Sequence, residues 1–268
     1  MNELLFRTNE IIRNIHPLVV YSVIFLCGLY VFWRGSAESR KNRSSVFDMF
    51  LVSGLLSGIV GRIVYIILEW ETFRLFIWYW LPYEKYGEDI YFFRLLPWRF
   101  FSIWDGGLVI LGMFVSLLIF MTFYALVLKK WRLKHMFFPI YFSSTTMLGL
   151  SFMYIGINSG FNDWIYKGLV LIALLAVFFL LFKFIYKVVK NPLREKYVLG
   201  YVGFLVVLIS SLYISYLYLT SELSFLEDVL IAIFVIWSIV MGISFIVDLK
   251  MARVRIESVS AVRSVKLK

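Results

Sequence analysis

Cysteine and histidine are nearly absent from this chain. The single cysteine, Cys27, excludes an internal disulfide and a paired-cysteine metal site. Its place inside an apolar run reads as packing, and Leu26 stands immediately before it where a lipobox would want a small residue. Of the two histidines, His16 stands at the edge of the first apolar run as an interfacial anchor and His135 falls in a basic connection, so neither offers a ready catalytic base. No metal or cofactor is expected. Charge is scarce as well: 16% of the 268 residues are charged against 62% hydrophobic, with a mean hydropathy of +0.85. Such a chain cannot hide its apolar surface in one soluble core, and it reads as an integral membrane protein. No internal repeat is evident, which argues against a transporter made of duplicated halves. The last apolar run, Val229 to Leu249, has no lysine for a Schiff base, which argues against a seven-helix photoreceptor or pump.

What the chain does have is apolar runs of bilayer-crossing length, about 20 residues each. They fall near 17 to 33, 46 to 69, 103 to 128, 136 to 157, 165 to 186, 198 to 219 and 229 to 249. The fold expected is all-α: a polytopic helix bundle with seven transmembrane spans. Residues 1–249 form one membrane domain, with an interfacial aromatic segment at 70–102 and a basic tail at 250–268. Eighteen of the 27 lysines and arginines lie in alternate connections and the tail, whereas Thr220 to Asp228 has three carboxylates and none of them. The positive-inside rule then puts the N-terminus outside and the C-terminus in the cytoplasm of a bacterial cell membrane. The charge of +10 is thereby topology and anionic-lipid contact, which argues against a nucleic-acid partner. Met1 to Ile15 mixes charge with Leu4, Leu5, Phe6, Ile11 and Ile12 and reads as an interfacial amphipathic helix.

The outer connection from Trp70 to Ser102 is crowded with aromatic rings, which settle at head-group level. It is expected to form short interfacial helices near 72 to 80 and 89 to 96. They either anchor the bundle or line a lateral access for lipid. Inside the spans, Arg62 lies about seven residues, ~10 Å of helix, below the outer surface, and Asp105 opens the third span at the same level. A charge in a hydrocarbon-facing segment is costly unless paired or wetted, so it marks a candidate site. Arg62 either pairs with Asp105 or faces a lipid phosphate, which a guanidinium can hold bidentately. Tyr21, Asn158, Asn162, Tyr166 and Lys167 also lie toward the outside. Ser143, Ser144, Thr145 and Thr146 are expected to hydrogen-bond between helices or back to their own backbone. Gly54, Gly58 and Gly61 share one side of the second span, a spacing suited to close helix contact.

Gly61-Arg62-Ile63-x-Tyr65, the aromatic connection and Trp104-Asp105-Gly106-Gly107, together with Tyr21, Tyr166 and Gly200-Tyr201, resemble the bacterial prolipoprotein diacylglyceryl transferases. The resemblance implies transfer of a diacylglyceryl group from phosphatidylglycerol to the thiol of a lipobox cysteine in a prolipoprotein signal peptide at the outer leaflet. It implies a lipid-binding set of Tyr21, Arg62, Asp105, Gly106, Gly107, Asn158, Tyr166, Lys167 and Tyr201. The chain departs from the family pattern at Leu111, where a histidine is expected, and at Phe152, Ile155 and Gly160, where an arginine, an asparagine and a glutamate are expected. Leu205 replaces a further arginine. The alternative implied by these departures is a non-catalytic descendant that binds anionic lipid or signal peptide as a membrane assembly factor.

Overall fold

The computed structural model describes residues 15–36, 42–71, 73, 83–92, 107–131, 133–188, 192–219 and 225–265. The expected N-terminal interfacial helix therefore lies outside the described residues, as does the expected helix near 72 to 80 apart from Phe73. Seven long helices follow one another: α1 (Pro17–Ser36), α2 (Arg43–Leu68), α3 (Ile110–Phe123), α4 (Leu133–Ser159), α5 (Asn162–Val188), α6 (Pro192–Leu219) and α7 (Phe225–Val265). Each holds a stretch long and apolar enough to cross a bilayer, α3 together with the helical turn that continues it to Leu128, so the seven-span expectation stands.

Side-chain contacts fix the up-and-down order. Tyr21 meets Tyr154 at one end of α1, and Gly35 meets Pro139 at the other, so α1 and α4 run antiparallel. Gly149 and Gly156 of α4 pack against Gly168 and Ile165 of α5 in the same sense. Tyr141 reaches Val207, Ser210 and Ser211, and Phe152 reaches Tyr218, so α4 and α6 run parallel. One end of the bundle thus gathers the start of α1, the end of α2, the start of α3 and the junction of α4 with α5.

The fourth span is 67% buried and the third 56%, against 22% for the first and fifth, so α3 and α4 form the centre. Their sequences explain it: α3 is apolar all round, the pattern of an enclosed helix. Three hydroxyls of α4 return to their own backbone, Ser143 to Ile140 O at 3.0 Å, Thr145 to Tyr141 O at 2.8 Å and Thr146 to Phe142 O at 2.7 Å, whereas the buried Ser144 hydroxyl, against expectation, has no hydrogen-bond partner among the described residues. At those three positions the helix satisfies its own hydroxyls, so they place no free polar group in the interior.

Two expectations need correction. The third helix begins at Ile110 rather than near 103, because Gly107 has φ +78° and Val109 is extended, conformations that no helix continues through. Residues 89–92 are not helical. Tyr83–Tyr86 (β1) and Asp89–Phe92 (β2) pair antiparallel, with Tyr86 opposite Asp89, around the two-residue turn Gly87-Glu88. A glycine with φ +64° leads that turn, as hairpins of right-twisted strands require. The last helix, α7, continues past the seventh span through Val265, giving the basic tail a helical conformation on which the sequence makes no prediction. At its other end α3 closes in a π-helical turn, Tyr124–Leu128, whose first two carbonyls, Tyr124 O and Ala125 O, accept from the Lys129 and Trp131 amides.

Candidate functional site

The segment leading into α3 is laid across the end of α2. The Val109 amide donates to Gly61 O at 3.3 Å, and Gly61 has no side chain because Met113 fills that space. One residue on, and ~100° around the helix, Arg62 leaves the core-facing row of Ser53, Ser57, Gly61 and Val64. It is nevertheless only 7% exposed. Its burial comes from the covering segment: Nη1 donates to Gly107 O at 3.0 Å, and the guanidinium lies over the rings of Tyr65 (5.2 Å) and Phe73 (5.7 Å). Aromatic faces and a carbonyl are suited to a desolvated cation, each ring contributing about 0.5–2 kcal/mol. The Tyr65 and Phe73 rings meet edge to face at 6.1 Å, which holds this platform rigid.

Gly107 is needed here twice. Its φ is left-handed, and a Cβ on it would strike both the Tyr65 ring and Arg62 Nη1. The two sequence motifs thus interlock: Gly61, Arg62 and Tyr65 supply one surface and Gly107 to Val109 the other. Asp105 and Gly106 lie outside the described residues, so the expected pairing of Asp105 with Arg62 does too. Tyr65 and Phe73 were not singled out as site residues. The signal for Tyr65 was present, since an aromatic at i+3 from a buried arginine shares its helix face.

The other expected residues divide. Tyr21 sits at the same end of the bundle, edge to face with Tyr154 at 5.6 Å. Asn158 is exposed at the end of α4, and Tyr166 is 66% exposed on α5. Lys167 pairs with Asp163 at 2.8 Å and lies over Trp164 at 4.5 Å, so its charge is engaged within α5. Tyr201 lies at the opposite end of the bundle, two residues before Gly203, which packs on Phe138 near the start of α4. His16 is exposed at the start of α1, and nothing is described of the His135 side chain.

The departures from the family pattern have distinct surroundings. Leu111 is 2% exposed and Phe152 1%, both within the hydrophobic core, and the Phe152 ring rests against Trp164 at 5.3 Å and Tyr218 at 5.9 Å. Leu205 instead is 55% exposed on the outside of α6.

The sequence family described as prolipoprotein diacylglyceryl transferase matches the chain over residues 10–156, more than half its length, taking in α1 to α3, both motifs and all but the last three residues of α4. No curated protein and no solved structure matches the chain.

Proposed function

Because the chain belongs to the prolipoprotein diacylglyceryl transferase family, we propose that it binds phosphatidylglycerol at the outer leaflet and passes the diacylglyceryl group to a lipobox cysteine. The observation that carries this reading is Arg62, a buried guanidinium at the end of the bundle under the segment that opens α3. In this reaction the cysteine thiolate attacks the glycerol carbon that bears the phosphate ester. A C–S bond forms, the C–O bond breaks, and glycerol phosphate leaves with the electron pair while the thiol proton passes to a base. The thiolate is the nucleophile, and the cationic group holds the departing phosphate as its charge develops. Arg62 takes that role. Asp105 and Gly106, which precede Gly107 in sequence, are proposed to complete the lipid-binding set with Tyr21, Asn158, Tyr166 and Lys167, the last four of which border the same end. Tyr201, at the far end, is left out of the set.

A second reading is favoured by Leu111 and Phe152. Apolar, fully packed side chains stand where the family resemblance calls for a histidine and an arginine, and neither can move a proton or hold an anion. The chain then keeps the lipid-holding half of the site and works as a non-catalytic binding or assembly factor for anionic lipid or signal peptide.

Membranes carrying the protein, given a labelled prolipoprotein and phosphatidylglycerol, separate the two. Conversion to the diacylated form that Arg62→Ala abolishes supports the transferase. Absence of conversion at high expression, with phosphatidylglycerol still bound, leaves the second reading.

A further inference from the structure

We infer that Gly58 is the seat for an acyl chain of the bound phospholipid, and that its missing side chain selects which chains are held. This rests on the reading that a phospholipid phosphate lies at Arg62. A glycine in the middle of a helix costs about 0.5–1 kcal/mol relative to alanine. At two of the three glycines of α2 that cost is offset by packing: Phe25 fills the space beside Gly54, and Met113 the space beside Gly61. Gly58 differs. Among the described residues, no heavy atom lies within 4 Å of where its Cβ would stand.

The position of this notch matters. Gly58 is four residues before Arg62, one turn deeper on the same face of α2. Leu51, Leu55, Gly58 and Arg62 follow at spacings of four, three and four, a single stripe that covers about 16 Å of helix. Leu55 is 70% exposed and Ile59 55%, so this flank faces the bilayer, where lipid chains take up any space protein leaves. An apolar stripe with a gap one turn below a guanidinium matches a phospholipid: phosphate at Arg62, first methylenes in the notch, and the chain running over Leu55 toward Leu51. A signal peptide's apolar segment could also lie along the stripe, but it brings no phosphate for the guanidinium at the stripe's end.

The test uses the full-length protein in detergent, loaded from vesicles of phosphatidylglycerol and phosphatidylethanolamine with mixed chain lengths and unsaturation. Retained lipids are counted by mass spectrometry for the wild type, Gly58→Ala, Gly58→Leu and Arg62→Lys. Gly58→Leu displaces about two methylenes, so retained lipid should fall about tenfold, with a changed chain profile and an unchanged head-group ratio. Gly58→Ala should unfold at a higher temperature than the wild type, which shows that no protein atom fills the notch. A wild-type amount and chain profile in Gly58→Leu overturns the inference, as does a lower unfolding temperature in Gly58→Ala. Unchanged lipid with lost binding of a signal-peptide probe overturns it in favour of a peptide seat. Should Gly58→Leu alter the chains while Arg62→Lys leaves the head groups alone, the notch stands and the placement of phosphate at Arg62 falls.

Discussion

Gly107 lies so close to Tyr65 that the ring fills the space where a side chain on Gly107 would be. The contact joins a residue of the second span to the segment that opens the third, and Arg62 is held between them by its bond to Gly107 O. The charge is therefore set by the chain's entry into α3 as much as by α2.

Gly107→Ala should destabilise the protein by about 2–4 kcal/mol, combining the left-handed backbone cost with the collision against Tyr65. Thermal unfolding in detergent measures it. Truncating the ring as well, in Gly107→Ala/Tyr65→Ala, should cost less than the sum of the two single changes, because it removes the collision. Strict additivity would show that the two residues do not share that space.

Two glycines at the α4 and α5 contact should respond unequally. A Cβ on Gly168 would collide with backbone, Gly149 O and Met153 N, which cannot step aside, whereas a Cβ on Gly149 would meet nothing nearer than Ile172 Cγ1 at 3.1 Å and Gly168 O at 3.3 Å, contacts that a few tenths of an ångström relieve. Gly168→Ala should cost more than ~3 kcal/mol and Gly149→Ala roughly 1 kcal/mol. Equal unfolding temperatures for the two variants would contradict the packing described.

Tyr141 ties α4 to α6 through hydroxyl contacts of 2.8 Å with both Ser210 and Ser211. Ser210 also donates to Val206 O at 2.7 Å, so it keeps a partner when the tyrosine hydroxyl goes. Tyr141→Phe should then cost only about 0.6–1.7 kcal/mol, the range for hydrogen bonds between membrane helices. A loss well above that range would mean that the hydroxyl orders more than these contacts with α6.

Most of the architecture was legible in the sequence, for a physical reason: only a helix satisfies its backbone inside hydrocarbon, so a run of apolar residues names both the element and its place. The errors fell where backbone conformation overrode composition. Gly107 reads as part of a span because Leu108 to Leu128 follows without a break, yet its left-handed backbone delays the helix to Ile110. Around Gly87 the aromatic content drew the reading toward interfacial helices. The signal that counted was the glycine-led two-residue turn between Tyr86 and Asp89. The site was half legible: Arg62 announced itself as a charge within a span. Its aromatic cover at Phe73 did not, because that residue comes after the apolar run has ended. The open side of Gly58 was equally hidden, since spacing alone makes it look the same as Gly54 and Gly61.

The orientation expected from the basic connections is open to direct test. In a Cys27→Ser background, a cysteine replacing Asp163, beside the start of α5, should react with a membrane-impermeant thiol reagent added to intact cells. One replacing Lys130 should react only after the membrane is opened. The reverse pattern would place Arg62 in the inner leaflet and remove it from lipoprotein modification.

The most direct measurement is the preference of the purified protein for phosphatidylglycerol over an uncharged diacylglycerol with the same chains, read by native mass spectrometry for the wild type and Arg62→Ala. Hydrogen bonds to a charged group contribute about 1.5–3 kcal/mol, so the preference should fall roughly tenfold to a hundredfold in the variant. A variant that keeps the wild-type preference would contradict the account, because the phosphate would then be held elsewhere.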